Sequence, residues 1–411
     1  MNKSIMPTDT APRPAPSDER HNPSPQGSLL TAFFFAMGTF AIGTEGFMIA
    51  PLLPRMAADF GMSVSVVASL VIVFTLMLSL SSPISTVLSA SFNRRNTLIA
   101  AMVVFTLANL VAAFSTSFAS LVASRLLMAV AAGLYVPNAN ALAGAVVGPE
   151  RRGRALAIVS GGMTIAIALG LPLGSLVGHA FGWRATFLAV AAMGAIAVVG
   201  IWSGVDRRAG AQLHVASIGE RLSVIRQGNV QRLLAITLFW SVGAYAVYPY
   251  IAPYLAHVLG FGEAGIGMTV SLWGAFAAIG VMTGGTLNDR FGSGRVVRYA
   301  LLFLMVSFWG LAGAVWLGAS DALVPVLIAV AAWGFSVWAF FPAQMARLIA
   351  AGAAAQAPVS LSLNTSTMYL GFSLGSAAGA GILGTGALWG IGLFAGCAEL
   401  LAVLLDRKKR D

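Results

Sequence analysis

Ile49-Ala50-Pro51-Leu52-Leu53 and Ile251-Ala252-Pro253-Tyr254-Leu255 are one phrase written twice, 202 residues apart. Outward from it, Phe60-Gly61 returns as Phe261-Gly262 and the triplet Gly170, Gly174, Gly178 returns as Gly371, Gly375, Gly379, both at an offset of 201. Tyr135-Val136-Pro137 matches Phe340-Phe341-Pro342 at 205. Offsets that agree to within the size of a loop insertion describe a chain built as two halves following the same path, a parallel repeat. Glycines four apart share one face of a helix and let another backbone come close. Static packing accounts for such a seam, and its presence at matching positions in both halves favours a seam on which the halves slide.

The material of each half is apolar. Of 411 residues 58% are hydrophobic and 9% charged, with a mean hydropathy of +0.85. A soluble domain carries roughly 25% charged residues. So few charges cannot cover a water-facing surface of this size, and the surplus must face lipid. About 20 apolar residues make one membrane crossing. Crossings fall at 29–53, 65–90, 97–114, 119–147, 155–180, 184–204, 232–256, 265–288, 296–318, 322–350, 358–383 and 386–405. The fold class expected is therefore an all-α integral membrane protein, with twelve transmembrane helices in two pseudo-symmetric six-helix bundles. The bundles span 29–204 and 232–405. Residues 1–28, with six prolines among Ser, Asp, Asn and Arg, read as a disordered tail rather than a signal peptide. Residues 205–231 read as a linker in which Ser217-Ile218-Gly219-Glu220 has the form of a capping box opening a short helix, and 406–411 as a basic tail.

Lysine and arginine alternate with the crossings. The side holding both termini collects 21 of the 24, in clusters such as Arg94-Arg95, Arg151-Arg152-Gly153-Arg154 and Arg407-Lys408-Lys409-Arg410; Arg55, Arg184 and the intraspan Arg125 remain. The positive-inside rule puts that side in the cytoplasm. The same distribution explains the net charge of +10 without nucleic acid. The lone Cys397 cannot form an internal disulfide, and the four histidines have no metal-ligand spacing. A membrane enzyme would need clustered ligands or a nucleophile–base pair, and a channel or receptor a charged pore ring or a large sensor domain. None is visible. No cofactor and no metal are expected.

Gly285-Thr286-Leu287-Asn288-Asp289-Arg290-Phe291-Gly292, between spans 8 and 9, resembles the signature loop Gly-x-Leu-x-Asp-Arg-x-Gly of the major facilitator superfamily. The first-half counterpart, from Thr86 to Arg95, is degraded, with Ala90 where the family has Asp and Asn93 where it has Gly. Arg125 with Gly133 and Pro137 resembles the fourth-span motif of proton-coupled members, and Pro149 to Arg154, Gly170 to Gly174 and Gly182-Trp183-Arg184 also fit. Gly43-Thr44-Glu45-Gly46-Phe47 through Pro54, with Asp59, is similar to the drug and sugar efflux branch. The resemblance implies a major facilitator fold working by alternating access in a cell membrane, bacterial plasma or inner membrane. It further implies proton-coupled efflux of a drug-like, sugar-like or nucleoside-like solute. The alternative is a uniporter or importer without proton coupling. The expected partners are a small-molecule substrate, protons and the lipid bilayer, and the expected working unit is a monomer.

Three ionisable residues lie well inside spans: Glu45, Arg125 and Glu399. A charge in lipid costs at least a few kcal/mol and has a partner or a task. Counted at 1.5 Å per residue, Glu45 and Arg125 both lie roughly 10–12 Å below the same surface. In the family fold, where spans 1 and 4 are neighbours, the two can pair. At offset 202 Glu45 corresponds to Val247, so the repeated scaffold does not require an acid there. Two readings stand: Glu45 exchanges a proton during transport with Arg125 tuning it, or the two form a permanent ion pair. Glu399 is nearer the cytoplasmic end and within reach of it by snorkelling. At the cytoplasmic rim, Glu150 with Arg94 or Arg95, and Asp289, next to Arg290, with Arg347, are expected as gate locks. The substrate cavity is expected near midplane. Its candidates are Ser241, Tyr245 and Tyr248 on span 7, Trp333, Phe340, Phe341 and Gln344 on span 10, Asn138 and Asn140 on span 4, and Asn364 on span 11.

Overall fold

The computed structural model describes residues 29–89, 92–147, 149–207, 218–352 and 356–407. The two tails, Ala90 and the expected cap Ser217 lie outside the described residues. In chain order the helices are α1 (Leu29–Phe60), α2 (Val64–Ser85), α3 (Arg94–Ala113) and α4 (Phe118–Val146). Next comes α5, a rod of Arg152–Ile165 and Leu171–Phe181 joined through a π turn at Ala166–Gly170, and then α6 (Trp183–Gly204). The second half has α7 (Gly228–Leu259), α8 (Glu263–Phe291), α9 (Ser293–Ala314), α10 (Ala319–Ala351), α11 (Ala357–Gly384) and α12 (Leu388–Arg407). A short linker helix, Ile218–Ile225, precedes α7.

Eleven helices among the described residues are long and apolar enough to cross a membrane. The twelfth crossing includes α11, whose 28 residues suffice in length but carry Ser360, Asn364, Ser373 and Ser376, all buried. A helix can be this polar because it packs against α7 and α2 inside the protein rather than against lipid. Lipid-facing positions are apolar: Leu107, Val111, Leu176, Val199, Met268 and Val306 are each more than half exposed.

The repeat is visible in the backbone. α1 and α7 both break into a 3-10 turn, at Ala50–Leu52 and Tyr248–Tyr250, and both end on a left-handed glycine, Gly61 (φ 62°) and Gly260 (φ 64°). The sequence pairing of Gly61 with Gly262 is therefore two residues out at that point, because the position requiring positive φ is Gly260. The prolines cause the breaks. Pro51 has no N–H to offer the carbonyl of Phe47 four residues earlier, and Pro249 none for Tyr245. Each freed carbonyl takes a hydroxyl instead: Tyr248 donates to Phe47 O (2.8 Å) and Ser376 to Tyr245 O (3.4 Å).

The glycine triplets are not where the halves meet. An added Cβ on Gly170 or Gly174 would strike Thr44 or Met48 of α1, and on Gly371, Gly375 or Gly379 the backbone or side chains of α7. Each seam joins α5 to α1 or α11 to α7 within its own half. The halves meet instead through α2 against α11 and α5 against α8. Ser79 donates to Ser366 O (2.7 Å), Ser373 to Ile72 O (3.1 Å), and His179 reaches Glu263 (2.5 Å) at the face away from the termini.

Candidate functional site

Glu45 lies one turn before the break in α1 and Arg125 near the start of α4, and both side chains are completely buried. They form an ion pair. The Arg125 guanidinium also lies 4.1 Å from the Phe74 ring centroid, and its Nε donates to the Leu70 carbonyl at 3.4 Å. A carboxylate, a ring face and a backbone carbonyl together replace water around the cation, as an intramembrane charge requires.

Beside the pair is an aromatic chamber. One pocket on the pair's side is walled by Phe47, Phe74, Tyr245 and Tyr369, and a second, sharing Phe47 and Tyr245, by Trp240, Tyr248, Trp273, Trp333, Trp338 and Phe372. The rings touch in a continuous chain: Tyr245 stacks on Phe372 at 3.6 Å, Tyr248 lies 5.0 Å from Trp273, and Trp273 5.5 Å from Trp333. Phe47 reaches across from the first half to Tyr248, Trp273 and Trp338. The remaining voids are ≈ 10 and ≈ 20 Å³, room for about one water. The indole N–H groups of Trp240, Trp273, Trp333 and Trp338 are buried without an acceptor.

Of the residues expected at the cavity, Tyr245, Tyr248 and Trp333 line this chamber, while Phe340 stacks behind Trp240 at 4.6 Å and Phe341 edges onto Trp338 at 6.0 Å. The amides do other things. Gln344 donates to Leu233 O (2.8 Å) and Thr237 Oγ1 (3.1 Å), and Thr237 donates to Asn364 Oδ1 (2.7 Å), a buried knot tying α7, α10 and α11. Ser241 bonds its own helix at Thr237 O (2.7 Å) and packs on Gly371. Asn138 accepts from Arg94 (2.5 Å), and Asn140 donates to Val136 O (3.1 Å). Phe47, Phe74, Trp240, Trp273, Trp338 and Phe372 were missed. The one signal for Phe47 was its place at the end of the Gly43 to Phe47 stretch just ahead of the repeated phrase.

At the rim the expected locks are replaced by other partners. Arg347 pairs with Asp406 (2.7 Å), not Asp289, and Asp406 also takes Arg298 (3.1 Å). Asp289 and Arg290 are exposed, with Arg290 over the Phe291 ring at 5.3 Å. Arg94 turns to Asn138 and Arg95 to the Trp202 carbonyl (2.5 Å), while Glu150 is exposed. Glu399 does not snorkel. It is fully buried against Gly243 of α7, and neither carboxyl oxygen has a hydrogen-bond partner. A buried polar group left so costs about 1–3 kcal/mol. Glu399→Leu is expected to fold and to melt at the same temperature or higher in detergent; a drop of several degrees would mean that the carboxyl holds the bundle together.

The family model described as Major Facilitator Superfamily matches residues 35–376. The chain belongs to that superfamily. This facilitator is 32% identical to a chloramphenicol resistance protein of Streptomyces lividans, over 91% of the chain and 95% of the relative. It is 28% identical to the inner membrane transport protein YdhP of Escherichia coli K12, over 92% and 96%. In fold it is similar to a bacterial homolog of the human lysosomal transporter Spinster, solved inward-facing and unoccupied (TM-score 0.71, 17% identity, 92% of this chain and 96% of that one). It also matches the human organic anion transporter MFSD10 (TETRAN) in fold, with a TM-score of 0.69, 16% identity and coverage of 92% and 99%. The facilitator is thus a multi-pass membrane transporter of small molecules.

Proposed function

We propose that this facilitator works by alternating access and exports a small amphipathic organic solute in exchange for protons, with both termini in the cytoplasm. The observation that carries the reading is the Glu45–Arg125 pair, wholly buried beside the aromatic chamber. The second half builds the same broken helix with Gly243 six residues before Pro249, where Glu45 is six before Pro51, so the acid is not a requirement of the fold. A buried carboxyl with one cationic partner, next to the space a solute would enter, is suited to trade its proton when that space opens.

The chamber supports the substrate class. Sites for small organic ligands run to about 300–1,000 Å³. The rings here leave almost none of that, so the halves must part before a solute enters. Ring faces suit a flat apolar body, and four indole N–H groups without acceptors suit a solute bearing carbonyl, nitro or hydroxyl oxygens. The relative named for chloramphenicol resistance favours export of such a compound. The arginine distribution favours the stated orientation.

The test uses the purified chain in sealed vesicles under an imposed pH gradient, with chloramphenicol, a nucleoside and a neutral sugar as probes. Accumulation of one probe against its gradient, abolished by a protonophore, is expected. Counterflow indifferent to the pH gradient would instead favour the uniporter reading.

A further inference from the structure

The second half holds a buried carboxyl of its own. Glu399 on α12 is wholly inaccessible, and among the described residues neither of its oxygens has a donor or a cation. Its Oε1 lies 2.7 Å from where a Cβ on Gly243 of α7 would be. Gly243 is six residues ahead of Pro249, as Glu45 is six ahead of Pro51. Each half therefore sets one carboxyl against its proline-broken helix. In the first half that helix supplies the acid; in the second it supplies a glycine, and α12 fills the space.

The two carboxyls differ in company. Glu45 has Arg125. Against α12 pack α7, α9 and α11, whose charged groups stand toward the helix ends: Arg232 and His257 on α7, Arg295 and Arg298 on α9, none on α11. On α12 itself the Cys397 thiol is exposed, and Asp406, two turns on, is paired with Arg298 and Arg347. Among the tyrosines of these helices, Tyr248, Tyr250 and Tyr254 give their hydroxyls to backbone carbonyls. Tyr245 and Tyr369 line the chamber, and Tyr299 is exposed. A carboxylate at Glu399 would have nothing to balance its charge, so the group is held here as the neutral acid.

Gly243 is flanked by Trp240 and Ala244, which line the chamber, so one helix separates the carboxyl from the space a solute would enter. In the other direction, Asp406 is seven residues along α12, about 10 Å away on the same face. Asp406 and Leu233 of α7 line an open recess of ≈ 970 Å³ at the end of the bundle that holds the termini. A motion that parts α7 from α12 at that end would bring water to the carboxyl.

We infer that Glu399 is a second proton-exchanging residue of this facilitator, an inference that rests on the exchange of solute for protons proposed above. Its O–H bond breaks to water entering from the recess, leaving a carboxylate and a hydrated proton on the side of the termini. Water reaching it from the opened chamber returns a proton by the reverse step.

The test uses Glu399→Gln, which keeps the shape and the neutrality of the acid. Infrared spectra of the full-length protein in detergent, titrated from acidic to alkaline pH, read the carbonyl band of protonated carboxyls. A component that persists at neutral pH, fades at alkaline pH and is missing from the variant is expected. In sealed vesicles at zero membrane potential, the pH gradient that just balances an opposing solute gradient gives the protons exchanged per solute. That ratio is expected to fall by one proton in the variant. Identical infrared titrations, a component that never fades, or an unchanged ratio overturns the site. A wild-type protein indifferent to the pH gradient would sink the proposed exchange instead, and the infrared component alone would then decide whether Glu399 binds and releases a proton.

Discussion

Glu45→Gln is expected to abolish accumulation of solute driven by a pH gradient while leaving counterflow measurable. The glutamine is nearly the same shape, so the chamber keeps its walls, but it carries no proton that can be traded. The substitution also strands Arg125. Removing one member of a buried ion pair costs about 3–5 kcal/mol, because the other charge remains in a medium that cannot solvate it. Loss of transport in the single variant therefore has two possible origins, misfolding and uncoupling. Glu45→Gln/Arg125→Gln separates them. Two amides can hydrogen-bond each other and leave no buried charge, so the double variant is expected to recover most of the melting temperature lost by the single one. It is not expected to recover coupling. A double variant that is stable and still accumulates solute against the gradient would make the pair a strut rather than a proton site. A single variant that remains fully coupled would remove Glu45 from the mechanism altogether.

The pair was legible in the sequence because depth along a helix is simple arithmetic: residue number times rise places both charges at one level. The two-half architecture was legible for a similar reason, since a repeat needs only matching offsets. Rotation about a helix axis is another matter. Trp240, Trp273, Trp338 and Phe372 lie on spans whose few polar residues are spread around the helix, so no one-sided polar–apolar contrast marks the side turned toward the chamber. Gln344, Asn364 and Ser241 show the converse. Polar residues at mid-span drew attention as cavity candidates, yet these three bond within their own half, Gln344 and Asn364 to α7 and Ser241 along α7 itself. Asp406 escaped notice because it adjoins a run of Lys and Arg and reads as a solvated charge. Its burial depends on α12 ending beside α9 and α10, where Arg298 and Arg347 wait. Glu399 was misplaced for lack of the same angular information.

Gly375→Val is expected to prevent accumulation of folded protein. The triplet Gly371, Gly375, Gly379 looks uniform in sequence, and Gly381 on the same helix looks no different from it. The neighbours distinguish them. A Cβ on Gly375 would meet the Val242 carbonyl oxygen, and would come within 3.0 Å of the Ala246 amide nitrogen and the Val242 carbonyl carbon, all of them backbone atoms of α7. A Cβ on Gly381 would meet nothing within 4 Å. Backbone cannot swing aside as a side-chain tip can, so α7 and α11 would have to separate along their seam. Overpacking a well-filled contact costs about 1–3 kcal/mol even where side chains can give, and here they cannot. Separation would also loosen the bond from Ser376 to the proline-freed carbonyl of Tyr245, and with it the wall of the chamber. Gly381→Ala is expected to be neutral or to gain up to about 1 kcal/mol from helix propensity. The comparison is read as folded yield and melting temperature of the two variants in the same detergent. Equal behaviour would mean that α7 and α11 are not in backbone contact at Gly375, and that the glycines serve a motion between the helices instead of their packing.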